Sequence, residues 1–428
     1  MKTKKTFGEF LSSARVLHII LSILLGFVVG AVFLLVMGIS VGDAYGRLIT
    51  SVTSLKGFSY VIVYSTAYIM TGLSVAFSFK TGVFNIGAEG QFVVGSMAAA
   101  VTGILFSNLP KVLLIPMCFL SAMVAGAIWG MIVGFLKTKW GINEVLAMIM
   151  FNWIAFYLSN FIAGIPGIKN EGTAEATKTI SENARTLLSD GIIQKLNLAP
   201  TANWGILVAI IAMILVWYII EKTTLGYQLK AVGMNKNAAE YGGISVNRSI
   251  MTALAISGAL AGLGGALQLM GMGGRISIFT GQEGFGFAGI VVALIGCSNP
   301  FGVLAAGIFY GALTYGGSKL NLVGAPTQLI SVIIGTVVFF IAISVIFERI
   351  GGGARARKNV DARKDAAKKE AEKAAAPPEG GEVTPPPEEK AAETVEAVEE
   401  KAEETAEKVE EAAESLSEAA ANREEEAK

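Results

Sequence analysis

The 428 residues carry a formal net charge of zero, with 53% hydrophobic and only 16% charged side chains, against roughly 25% charged in a soluble domain. So apolar a chain excludes an ordinary soluble domain and points to the membrane class. Its two cysteines, Cys118 and Cys297, and its single histidine, His18, exclude a disulfide framework and a cysteine/histidine metal cluster.

Met1-Lys-Thr-Lys-Lys5 followed by an apolar run from Ile19 resembles a signal peptide. The run has no convincing cleavage site and is long enough to span, so a retained first helix is expected. Stretches free of Asp, Glu, Lys and Arg then recur at 19–42, 57–79, 90–110, 112–136, 145–168, 196–220, 249–274, 284–318 and 320–347. A helix crosses the hydrocarbon core with ~20 apolar residues. The stretch 284–318 is too long for one span, and the turn-type dipeptide Asn299-Pro300 divides it. The expectation is an all-α integral membrane protein of about ten transmembrane helices, some short or discontinuous, occupying residues 1–350 and followed by a charged tail from 351 to 428.

Cytoplasmic loops retain Lys and Arg. With an even number of spans, the side holding Lys2, Lys4, Lys5, Arg15, Lys80, Lys137, Lys139, Lys222, Lys230, Lys236, Arg248, Arg349, Arg355, Arg357 and Lys358 is richer than the side holding Arg47, Lys56, Lys111, Arg275 and Lys319. The latter side also carries the long loop 164–202, whose Lys169, Lys178, Arg185 and Lys195 are matched by Glu171, Glu175, Glu182 and Asp190. A multi-pass protein of the cell membrane with both termini cytoplasmic follows. Fifty glycines suit a bundle of closely packed helices, and Gly258, Gly262 and Gly265 with Ala261 and Ala266 form one small-residue face.

Two Glu-Gly segments, Ile86-Gly-Ala-Glu-Gly-Gln-Phe92 and Thr280-Gly-Gln-Glu-Gly-Phe285, each introduce a short apolar stretch. On this topology Glu89 lies toward the cytoplasmic side and Glu283 toward the exterior. Helices two to five and seven to ten would then be inverted copies, a recurrent basis for alternating access.

Polar groups within apolar sequence are costly and therefore informative. Asn85, Glu89 and Gln91 form the richest cluster; Glu89 admits a role on a solute path, in holding a bend of the backbone, or as the acidic complement of its own helix dipole. Asn143-Glu144 has the same form, with Asn143 as an N-cap of the helix running to Phe161. Asn152, among Phe151, Trp153, Phe156 and Tyr157, could hydrogen-bond a planar heterocycle or join two helices. Gln268, Gln328 and Glu283 are further candidates for a solute path, whereas Phe84, Phe92, Phe285 and Phe287 read as packing residues.

The inner loop from Thr223 to Ile244 is too regular for a linker: Ala238, Ala239 and Tyr241 fall on helical spacing before Gly242-Gly243. It reads as one short amphipathic helix, either a handle for a motor protein or an interfacial anchor in lipid headgroups. Its residues Leu225-Gly-Tyr-Gln-Leu-Lys-Ala-Val-Gly-Met-Asn-Lys-Asn-Ala-Ala-Glu-Tyr-Gly-Gly-Ile244 resemble the coupling loop of the branched-chain amino acid/ribose permease family of ABC importers. Thr81-Gly-Val-Phe-Asn-Ile-Gly-Ala-Glu-Gly-Gln91 resembles the signature of the nucleoside and simple-sugar branch, and Gly141-Ile-Asn-Glu-Val145 and Phe287-Ala-Gly-Ile-Val-Val-Ala-Leu-Ile-Gly296 are similar to further stretches of it. The resemblance covers about residues 15 to 350.

It implies a permease for a nucleoside or related simple sugar that pairs with a second, different permease chain, binds ATP-hydrolysing subunits and receives solute from an external binding lipoprotein. It further implies an ATPase-coupling loop carrying Gly226, Lys230, Ala231, Gly233, Asn235, Ala238, Ala239 and Gly243. No cofactor or metal is expected on this chain and no nucleic-acid partner; ATP is used by the partner subunits, and no Gly-x-x-x-x-Gly-Lys-Ser/Thr pattern occurs. An ion-coupled secondary transporter is the alternative, weakened by the scarcity of membrane-embedded carboxylates. A membrane enzyme lacks a nucleophile and base pair, since His18 stands alone.

After Gly351-Gly-Gly353 the chain turns to Lys/Arg, Ala/Glu and Pro, too charged to sustain a core. A disordered or partly helical solvated extension is expected, with Arg355, Arg357 and Lys358 next to anionic lipid.

Overall fold

The computed structural model describes residues 14–172, 175–341 and 343. The lysine-rich start, the domain boundary at 350 and the tail lie outside the described residues.

Among the described residues the chain is helical, with three isolated bridges and no strand. Helix α1 is Ala14–Val36, α2 Val41–Thr53, α3 Leu55–Phe79, α4 Ala88–Leu105, α5 Lys111–Trp140 and α6 Glu144–Ala163. A long connection containing the short α7, Asp190–Lys195, leads to α8, Gly205–Lys222. Two short helices follow, α9 Thr224–Met234 and α10 Lys236–Tyr241. Next comes α11, Val246–Gln268, extended by a π-turn over Leu269–Gly273. The remaining helices are α12 Phe285–Ile295, α13 Pro300–Gly317 and α14 Leu329–Ile341. Seven described helices are long and apolar enough to cross a membrane, and α12 and α14 are shorter apolar helices. At 1.5 Å per residue, the 11 residues of α12 rise only ~16 Å, about half a bilayer core.

Local chemistry explains the helix boundaries. Asn143 accepts from the Val145 and Leu146 amides at 2.9 and 3.3 Å, the N-cap expected of it. Between α12 and α13, Cys297 and Ser298 take positive φ values of 52° and 51°. Asn299 then caps α13 through the Phe301 amide at 3.0 Å, with Pro300 opening the helix. The long apolar stretch is therefore cut where the dipeptide indicated.

Helix α3 is the axis of the bundle, buried on nearly every side, whereas α1, α5, α6 and α8 keep wide apolar faces exposed. Those faces have the composition lipid requires. Close packing at the centre depends on the small-residue face of α11. A Cβ on Gly258 would collide with the Gly126 carbonyl of α5, one on Gly262 with the Ala122 carbonyl and one on Gly265 with the Phe92 carbonyl of α4. Where lipid gives no hydrophobic drive, such backbone approach is what van der Waals packing can exploit.

Candidate functional site

The Thr81–Gln91 motif is a turn followed by a helix that starts inside the protein. Helix α3 ends at Phe79, Gly82 reverses the chain at φ 71°, and α4 begins at Ala88. Glu89, in its first turn, is 1% exposed. Its Oε1 accepts the Gly284 amide at 2.7 Å and its Oε2 the Gly286 amide at 2.6 Å. The carboxylate thus caps α12, a helix almost 200 residues away, through two charge-assisted bonds at the positive end of that helix. Gly286 fits because it has no side chain; a Cβ there would collide with the Glu89 backbone.

One sequence expectation is corrected here. Glu89 and Glu283 were expected toward opposite faces of the membrane, but their Glu-Gly segments meet, joined by the bonds to Gly284 and Gly286. Glu89 also stands in the first turn of α4, the position its reading as the acidic complement of that helix dipole requires. Glu283 remains solvent-accessible beside the junction.

Three polar side chains hold the start of α4. Asn85 Nδ2 donates to Gln91 Oε1 at 2.9 Å and to Ser257 Oγ of α11 at 2.6 Å, and Ser257 donates to the Ser74 carbonyl of α3 at 2.7 Å. Asn152 Oδ1 accepts the Gly90 amide at 2.8 Å while its Nδ2 donates to the Ile86 carbonyl at 3.1 Å. Of the two roles open to Asn152, the helix-joining one describes these bonds. Phe92 and Phe285 stack across the junction, centroids 4.9 Å apart. The carboxylate, three buried amides and two serines therefore form one buried assembly linking α3, α4, α6, α11 and α12.

The other candidates lie elsewhere. Asn143 is an exposed cap, and Glu144 pairs with Lys137 across the α5–α6 turn. Gln268 Nε2 reaches Met272 Sδ at 3.3 Å, and Gln328 is exposed near the start of α14.

The loop from Thr223 to Ile244 forms two helices, where one was expected. The break is at Asn235, whose extended backbone (φ −156°) and side chain, accepting the Ala238 amide at 3.0 Å, end α9 and cap α10. Thr223 caps α9 through the Gly226 amide at 3.1 Å, and Gly226 lies against the Ile219 and Ile220 carbonyls. Lys230 pairs with Glu221 at 3.2 Å. Val232 and Ala239 are buried against Val83, Val133, Met148 and Ile250, with the partly buried Ala231 packed beside them. Gly233 touches the Lys80–Gly82 turn so closely that a Cβ would collide with the Lys80 carbonyl. Ala238 and Gly243 are exposed, the latter at φ 78°, and Tyr227, Met234 and Tyr241 project at 69%, 88% and 95% exposure. A solvent-facing pair of helices thus abuts the turn that leads, nine residues after Lys80, to Glu89.

Sequence reasoning missed Ser74, Ser257 and Arg185. The serines look like ordinary small helix residues, and Arg185 was matched to nearby acids. Its guanidinium instead donates to the Met270 and Met272 carbonyls at 3.3 and 3.2 Å, satisfying acceptors at the π-turn of α11. The only advance signal was the glycine-rich Met270-Gly-Met-Gly-Gly274, a poor helix end that needs outside support.

Residues 57–342 match the family described as branched-chain amino acid transport system / permease component. The chain belongs to this permease family. Among its relatives, the guanosine ABC transporter permease protein NupP of Bacillus subtilis is 36% identical over 78% of this chain and 94% of its own. The nucleoside ABC transporter permease protein NupB of Lactococcus lactis is 34% identical over 83% and 98%. The glucose ABC transporter permease protein TsgB13 of Haloferax volcanii is 33% identical over 81% and 92%. The permease is therefore similar to subunits named for nucleoside and for sugar transport, and its matched region contains both the Glu89 junction and the α9–α10 pair.

Proposed function

We propose that this permease imports a nucleoside into the cell as one membrane subunit of an ABC importer, driven by separate ATPase subunits at its inner face. Of the three relatives named above, those at 36% and 34% identity are named for guanosine and nucleoside transport, and the one at 33% for glucose. The observation that carries the mechanism is the contact of Gly233 with the Lys80–Gly82 turn. An ATPase that closes on Tyr227, Met234 and Tyr241 pushes α9, α9 pushes the turn, and the turn carries Asn85 and Glu89. Movement of Glu89 loosens or tightens its grip on Gly284 and Gly286, so that α12 and its leading segment 274–284 open toward one side or the other. The α9–α10 pair is cytoplasmic in this reading, as are both termini. A second permease chain, different from this one, completes the path, and an external lipoprotein delivers the solute. No ATP site, metal or cofactor is assigned to this chain.

The test is uptake of labelled guanosine by the complete importer in proteoliposomes. Uptake should follow internal ATP and survive a protonophore. Collapse under protonophore with ATP clamped would instead identify an ion-coupled carrier, and uptake of glucose alone would move the permease to the sugar branch.

A further inference from the structure

Five of the chain's 10 tyrosines are gathered between two helices. On α3, Tyr60, Tyr64 and Tyr68 recur every four residues and share a face; on α13, which packs antiparallel to it, Tyr315 and Tyr310 answer them. The rings touch in sequence. Tyr60 stacks on Tyr315 with centroids 4.9 Å apart and planes 14° apart, and Tyr64 lies 6.0 Å from Tyr315. Deeper, Tyr68 meets Tyr310 at 4.6 Å and Phe285 at 5.4 Å. Phe285 directly follows Gly284, whose amide Glu89 holds. The column therefore runs from the outer ends of α3 and α13, where the Lys319 ammonium sits 5.2 Å from the Tyr315 ring, down to the Glu89 junction.

Neither depth nor polarity suits a lipid-facing role. Membrane tyrosines concentrate at the headgroup boundary, yet Tyr64 lies nine residues into α3, about 14 Å along its axis. Tyr60, Tyr64 and Tyr310 are only partly buried, and their hydroxyls make no hydrogen bond among the described residues. A hydroxyl facing hydrocarbon without a partner is costly, whereas one facing a solvated path meets water or solute. Flat faces with free hydroxyls match an uncharged solute that has both an aromatic ring and hydrogen-bonding edges.

We infer that this column lines the outward entrance of the translocation path and that Tyr64 and Tyr310 select for the base of a nucleoside by stacking on it. The inference rests on the nucleoside reading above and adds the residues that read the base. A bare sugar would gain nothing from the rings. Because stacking grows with ring area, purine nucleosides should be favoured over pyrimidine nucleosides at this column.

The experiment is competitive uptake of guanosine and cytidine by the complete importer, wild type against Tyr64→Leu/Tyr310→Leu and Tyr64→Phe/Tyr310→Phe. Loss of base stacking is expected to lower guanosine uptake roughly tenfold or more, with a smaller loss for cytidine, so that the purine-to-pyrimidine ratio falls. The phenylalanine pair should hold the wild-type ratio, which a role confined to hydroxyl packing would not allow. Should the leucine pair fail to assemble, Tyr310→Trp supplies a larger ring and is expected to raise the ratio. An unchanged ratio in the leucine pair, or an unchanged or lowered one in Tyr310→Trp, overturns the inference while leaving nucleoside import intact. A wild-type complex that imports no nucleoside overturns the substrate reading and this inference with it.

Discussion

Two long connections, the one from 164 to 204 on the side proposed above as outer and the one from 223 to 245 on the side proposed as inner, are built in opposite ways. The outer one is stitched to distant backbone. Thr177 donates to the Ile276 carbonyl at 2.8 Å, Ile180 to Gly274 at 2.7 Å and Thr186 to Met270 at 3.2 Å. Just before it, Asn160 bonds both the amide and the carbonyl of Phe279. The inner one is organised by its own residues: Thr223 and Asn235 cap their helices, and Lys230 pairs with Glu221. It meets the body through Leu229, buried in the main core, through Val232 and Ala239, and through the contact of Gly233 with the Lys80–Gly82 turn. The outer connection is thus part of the wall around segment 274–284, while the inner one is a preformed handle seated on a few apolar side chains and one glycine contact.

The sharpest way to break this contrast is Gly233→Leu. The side chain has no space against the Lys80 carbonyl, and overpacking of this kind costs about 1–3 kcal/mol. With the handle displaced from its seat, ATP-driven uptake should be lost while the protein still inserts and assembles. Wild-type uptake in membranes containing the variant would mean that force does not pass through this contact.

A smaller effect, and one on stability first, is expected for Arg185→Leu. The Met272 carbonyl loses its donor, at about 1–3 kcal/mol for a group left unsatisfied, while the Met270 carbonyl keeps the Thr186 amide. The melting temperature in detergent should fall, and Arg185→Lys should recover part of it. An unchanged melting temperature would show that the outer connection does not support the end of α11.

Hydrogen exchange would sharpen the comparison without mutation. The amides of Thr177, Ile180 and Thr186 should exchange at rates near those of the bundle, because opening them requires moving the wall. Those of α9 and α10 should exchange faster, through local opening of the handle. The reverse order would invert the assignment. The smallest effect is expected for Asn235→Ala, which removes a cap worth ~1 kcal/mol and should fray α10 with a modest drop in the efficiency of ATP-coupled uptake, measured as solute moved per ATP.

The same contrast explains what was legible in advance. Asn143 as a cap and Asn299-Pro300 as a break act on residues two or three positions away, so both could be read in order along the chain. The α9–α10 pair was half legible: its helical spacing was visible, but the Asn235 break was not, since Asn is compatible with a short helix as well as with a cap. Arg185 was misread because four acids near it in sequence offered a sufficient partner, while its actual acceptors are 85 and 87 residues away.

By itself the sequence determined the membrane class, the positions of the apolar helices, the small-residue face of α11 and the family motifs, since hydrophobic length and local caps are properties of neighbouring residues. Only the tertiary structure decided that Glu89 holds Gly284 and Gly286, that Asn85 reaches Ser257, and that tyrosines from α3 and α13 form one column. Helices related by packing impose no fixed spacing on the chain, so a carboxylate that caps a remote helix and one that caps its own look the same in the sequence.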